Sequence, residues 1–183
     1  MIVLKTNREL ALMREACIIS AGALKLAGEA VEPGVTTAEI DKIAYDYIIK
    51  CGAKPNFLNY NGYPATACIS INDEVIHGIP SKKRVIEEGD IVSIDLGAVL
   101  EGFNGDNAAT FAAGAISSEA KRLCDTTKES LFLGIEKAVA GGRIGDIGYA
   151  VQHHCESRGY SVVREFVGHG VGHKLHEDPS VPN

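Results

Sequence analysis

The chain has 183 residues, 45% apolar and 23% charged, which excludes a disordered polymer and leaves aliphatic side chains for one core or for two small halves sharing a sheet. A net charge of -6, with eighteen Lys and Arg and no long basic block, excludes a general attraction to nucleic acid or to an anionic membrane surface. Five cysteines without a close CxxC pair exclude a disulfide framework or zinc knuckle, no stretch reaches the ~20 apolar residues that span a bilayer, and the first ten residues lack a secretory pattern, so the expected location is cytoplasmic.

From residue 7 to about 30, Leu10, Met13, Cys17, Ala21, Leu24 and Ala27 recur at spacings of three and four, which predicts an amphipathic helix ending near Pro33 and Gly34. Thr36 or Thr37 caps a second helix whose buried stripe is Ile40, Ile43, Ala44, Tyr47 and Ile48, and Gly52 stops it. After Pro55 the pattern turns to strands over residues 66–71, 91–99 and 103–112, with 80–89 as a polar connection. Helices return at about 118–140 and 146–158, followed by a Val- and Gly-rich extended stretch over 162–172 and a terminal loop. A shift of 107 residues sets Leu24 on Leu131, Ile40 on Ile147, Ala44 on Val151 and Gly52 on Gly159, which predicts an internal duplication. On that offset the second half would run to about residue 219, so the expectation is a first half of about 1–115 and a second half, about 116–183, that lacks its last strands.

Asp95 interrupts one apolar strand and Asp106 lies on the strand that returns. A hairpin centred between residues 100 and 101 would set the two carboxylates directly opposite, with Cβ atoms ~5 Å apart. Two carboxylates so close repel unless a cation lies between them or one holds a proton. Asp is depleted in strands, and its Ile, Leu, Val and Ala neighbours favour a hard-cation site over two carboxylates facing water; a protonated dyad stays open, although no Asp-Thr-Gly loop accompanies it. The segment from Glu165 to His176 holds His169, His173 and His176 among glycines, while His77 precedes a turn at a strand end. His153 and His154 fall mid-helix and read as surface residues. The glycine-rich run lacks GxGxxG and GK[ST], and no GxSxG elbow supports a serine nucleophile.

Three blocks, Asn59 to Pro80 with its Cys-Ile-Ser-Ile-Asn and His-Gly-Ile-Pro runs, the Asp95/Asp106 pair, and Gly168 to Pro179, together resemble the type I methionine aminopeptidases over essentially the whole chain. The resemblance implies an α+β pita-bread fold: a single catalytic domain over 1–183, with a curved antiparallel sheet covered by two pseudo-symmetric helix pairs and an incomplete second half. It implies hydrolytic removal of the initiator methionine from nascent proteins with two divalent ions, Co, Mn, Fe or Zn. Asp95 would bind one ion, Asp106 would bridge both, and His169 would bind the other; His77 and His176 would act on the reacting peptide as non-ligands. Tyr60, Tyr63 and Cys68 match the methionine pocket, bordered by Phe57 and Leu175. The partners implied are nascent N-termini carrying Met before a small residue, with ribosome association, and full-length relatives are expected to be monomers. Two further glutamate ligands of the family follow the position of His176 and have no match here, so three of five ligands are present and this polypeptide is expected to be weak or inactive alone. The competing expectation is a non-catalytic pita-bread module that binds a peptide or a protein.

Overall fold

Thr6 and Glu9 exchange hydrogen bonds, the Glu9 amide to the Thr6 hydroxyl and the Thr6 amide to the Glu9 carboxylate, and this reciprocal cap starts α1, Asn7–Glu29. Thr36 and Glu39 repeat the device for α2, Thr37–Lys50, which gives way at Gly52 with φ +76°. Four antiparallel strands follow: β1, Lys54–Pro55; β2, Ala67–Ile71; β3, Ile91–Leu100; and β4, Phe103–Ala112. β3 is central, with β1 and β2 along one edge and β4 along the other.

Alternation along β3 separates two faces. Val92, Ile94, Leu96 and Ala98 are wholly buried with Ala67 and Ile69 of β2, against the stripes Ala23, Leu24, Ala27 of α1 and Ile40, Ala44, Ile48 of α2. α1 crosses β4 so closely that a Cβ on Gly105 would lie 2.5 Å from the Ala16 backbone, and the Asn107 amide donates to Ser20 Oγ at 2.6 Å. The other face of β2, β3 and β4 carries Cys68, Asp95 and Asp106. The connection over residues 80–89, expected to be merely polar, is pinned by Ile86, which is 1% exposed and exchanges backbone hydrogen bonds with Val35 and Gly34.

The computed structural model describes residues 1–183 as two compact units: Leu4–Ile116 with Val171–Leu175, and Met1–Val3 with Ser117–Gly170 and His176–Asn183. The second unit contains α3, Ser118–Lys137, and α4, Ile144–Glu156, with the short antiparallel pair β5, Gly168–Gly170, and β6, Glu177–Val181. The 107-residue offset relates the first residue of α2 to the first of α4, and the matched glycines share a left-handed backbone, φ +94° at Gly34 and +88° at Gly141, +76° at Gly52 and +86° at Gly159. None of the helices is long and apolar enough to cross a membrane.

Three expectations are corrected here. The extended stretch over 162–172 forms a strand only at Gly168–Gly170, because only those residues find a partner on β6, and Val163, Phe166 and Val167 stand exposed without strand pairing. The terminal residues expected as a loop contain β6; Pro179 is tolerated because each strand of a two-stranded ribbon is an edge. His154 is buried, not superficial, with Nε2 3.1 Å from Glu129 Oε2 on α3, because the spacing from Ile147 through Val151 places it on the apolar stripe of α4.

Candidate active site

The hairpin between β3 and β4 turns through Glu101 and Gly102, both with positive φ, +52° and +81°, as a two-residue primed turn requires. Its register therefore pairs Leu100 with Phe103, one step beyond the expected centre. Asp95 faces Ala108 and Asp106 faces Gly97, so the carboxylates are diagonal neighbours on one face rather than direct partners. Diagonal side chains remain within reach of one another. Burial pushes Asp95 up to about 7, and the Asp106 charge and a hydrogen bond with Asp106 push in the same direction. Below about pH 7 Asp95 holds a proton that a cation could replace.

On the other side of β3, Cys68 is the cross-strand partner of Asp95. Cys68, Phe57 and Leu175 are buried together, with Tyr63 packed against them, which gathers four of the five expected pocket residues. The Tyr63 hydroxyl lies 3.0 Å from Ala67 O and 3.1 Å from Gly78 O, and its pKa is raised by burial and by Cys68. Burial pushes the Cys68 thiol up to about 11, with the Asp95 and Asp106 charges adding. The thiol therefore stays protonated and behaves as a small apolar wall. Tyr60 is not in this cluster; it begins a short 3₁₀ turn, Tyr60–Gly62, and is 39% exposed.

His77 is exposed and held at φ +60°, a left-handed conformation that costs a non-glycine residue strain. Its neighbour imposes it. Gly78 donates to Ser70 Oγ at 3.1 Å and accepts from the Ile69 amide at 2.8 Å, and a Cβ there would lie 2.1 Å from Ile69 O. In the second unit, the His169 and His176 rings lie 4.2 Å apart at 51°. His169 Nδ1 is 2.9 Å from Gly170 O, which can only accept, so the neutral ring carries its proton on Nδ1 and presents Nε2 as the basic nitrogen.

The chain thus brings together Asp95 with Asp106, His169 with His176, and Phe57 with Tyr63, Cys68 and Leu175. It gathers no group of three or more His, Cys, Asp or Glu in an arrangement that could hold a metal ion. Each set of donors by itself suits a metal: the carboxylate pair of the first unit offers hard oxygens whose repulsion a divalent ion would relieve, and in the second unit the His169 tautomer is the ligating form.

Three polar residues that the sequence reading passed over support this face. Asp41 on α2 accepts from the Thr66 and Ala67 amides at 2.9 and 2.8 Å, fixing the start of β2 just before Cys68, and burial raises its pKa. Asn56 and Asn104 are both buried and bonded to each other at 3.3 Å. Asn104 had a readable signal, a strand-depleted residue between Phe103 and Gly105; Asp41, one polar position on an amphipathic helix, had none.

Residues 11–183 match metallopeptidase family M24. The chain belongs to that family. It is 54% identical over all 183 residues to the methionine aminopeptidase of Clostridium acetobutylicum, spanning 73% of that protein's length. Among solved structures, the M24 chain superposes on the methionine aminopeptidase of Thermotoga maritima with a TM-score of 0.97 at 41% identity, covering 100% of this chain and 74% of that one. The enzyme from Rickettsia prowazekii gives 0.96 at 39% identity, covering 99% and 73%. The fold is accordingly the α+β pita bread, and the family is one of metal-dependent peptidases.

Proposed function

We propose that this chain is a methionine aminopeptidase that removes the initiator methionine from nascent proteins in the cytoplasm, acting on Met followed by a small residue. The observation that carries this reading is the apolar cluster of Phe57, Tyr63, Cys68 and Leu175, whose Cys68 is the cross-strand partner of the desolvated Asp95. An apolar wall with a protonated thiol suits a flexible thioether side chain, and the adjacent carboxylates supply the hard donors of a hydrolytic centre.

By resemblance, Asp95 would hold one divalent ion, His169 a second and Asp106 both; Mn, Fe, Co and Zn all accept this donor set. Bound there, the ions would supply Lewis-acid charge and a water acidic enough to act at neutral pH. His77 and His176 would hydrogen-bond the reacting peptide group and stabilise the oxygen charge that develops as its carbonyl is attacked. Tyr60 would meet the substrate from the rim of the pocket.

The test is release of methionine from Met-Ala-Ser with Mn or Co added, alongside Asp106→Asn and an EDTA control. Release that both the substitution and the chelator abolish supports the reading. Release untouched by either would sink it.

A further inference from the structure

Leu175 closes the apolar cluster from Val171–Leu175, five residues outside any strand, so some other interaction must fix their position. Asn104 supplies most of it. Its backbone amide donates to Gly172 O at 2.9 Å, and its side-chain Nδ2 donates to Gly172 O at 2.9 Å and to His173 O at 3.1 Å. From the same segment, His173 Nδ1 donates to Gly102 O at 3.1 Å, its ring packs on Phe103 with centroids 4.0 Å apart, and its Nε2 lies 3.6 Å from Glu9 Oε1.

Behind Asn104 stands Asn56, whose Nδ2 donates to Asn104 Oδ1 at 3.3 Å and to Gly105 O at 3.4 Å. Asn56 fits only because position 97 is glycine, where a Cβ would lie 2.3 Å from its Nδ2. This arrangement leaves Asn56 Oδ1 buried without a partner. An orphaned buried acceptor is a cost that apolar packing would avoid. The amide pair therefore acts through geometry: it orients Asn104, which lies two residues from Asp106 on the same strand and the same face.

We infer that Asn104, oriented by Asn56 and seconded by His173, is a positioning residue for the pocket: it clamps Val171–Leu175 onto the β3–β4 hairpin and thereby holds the Leu175 wall beside the carboxylate pair. The inference rests on the methionine-pocket reading for its substrate and on the hydrogen bonds for its mechanism.

Alkylation of the chain by iodoacetamide, followed by peptide mass mapping, tests both parts without any need for metal or turnover. Cys68 reports the pocket and Cys155, buried in the other unit, reports general unfolding. Asn104→Ala should label Cys68 about tenfold faster, the order expected when a buried hydrogen bond is lost from a local opening equilibrium. Cys155 labelling should stay as it is in the unsubstituted chain while the thermal melt falls by only a few degrees, and L-methionine, which should slow Cys68 labelling in that chain, should lose its effect in the variant. Unchanged Cys68 labelling with methionine protection intact overturns the clamp. If Asn104→Ala raises Cys155 labelling as well, His173→Phe, which keeps a ring on Phe103 and removes the donor to Gly102 together with the contact to Glu9, takes its place under the same two criteria. Methionine that protects neither protein defeats the methionine-pocket reading, while the difference in Cys68 rate still decides the clamp.

Discussion

Leu24 and Leu131 are the same residue at matched places on α1 and α3, yet one is 8% exposed and the other 55%. Ala16 and Leu123, a second matched pair, are 0% and 38% exposed. In the first unit the helical stripe meets the sheet of β2, β3 and β4; in the second, α3 packs against α4 in a unit whose strands are the short β5 and β6. A helix with an apolar stripe specifies that a partner is wanted, not that one is supplied. The same amphipathic pattern is a core in one place and a surface in the other.

The largest expected difference between the units is at those leucines. Leu24→Ala should cost roughly 2–5 kcal/mol, because the α1–sheet interface cannot collapse into the gap, whereas Leu131→Ala should stay within about 0.5 kcal/mol. Urea titration of both variants measures this, and equal losses would mean that Leu131 is covered in solution.

The next concerns the carboxylates, which only the first unit has. In the metal-free chain Asp95 keeps its proton when folded and releases it near its ordinary value when unfolded, so between about 4 and about 7 the folded state binds more protons and stability falls as the pH rises. Hydrogen exchange should show this slope in β3 amides and not in α3 amides. Asp95→Asn should flatten it, and a slope that survives the substitution would assign it to other groups.

Glycines separate the units at a smaller scale. Gly105→Ala drives a Cβ to 2.5 Å from the Ala16 backbone and should cost about 1–3 kcal/mol. Gly145→Ala on α4 meets nothing within 4 Å and should stabilise by a few tenths to about 1 kcal/mol. Thermal melts with the reverse order would contradict the packing described for α1 on β4.

The smallest contrast is at the matched helix starts. Thr36 caps α2 with its hydroxyl, so Thr36→Ala should cost about 1 kcal/mol. Arg143 at the start of α4 offers no side-chain acceptor, and only its backbone amide reaches Asp146, at 2.9 Å, so Arg143→Ala should change little.

Much of this was legible in the chain itself. Periodicity located four helices and the three longer strands, because burial of one face demands a fixed spacing, and a threonine at 36 or 37 and the glycine at 52 marked the ends of α2 that backbone chemistry dictates. The Asp95/Asp106 pair was visible because charge inside an apolar strand is locally anomalous. Tertiary structure decided what local chemistry leaves open. A turn centred one residue further along the chain made the carboxylates diagonal rather than opposed, since register depends on the φ angles of Glu101 and Gly102. Packing against α3 put His154 inside and left Leu131 out. The hydrogen bonds from Asn104 to Gly172 and His173 join residues nearly seventy positions apart, and their strength comes from exclusion of water by elements distant in sequence, so no window of the sequence contains them.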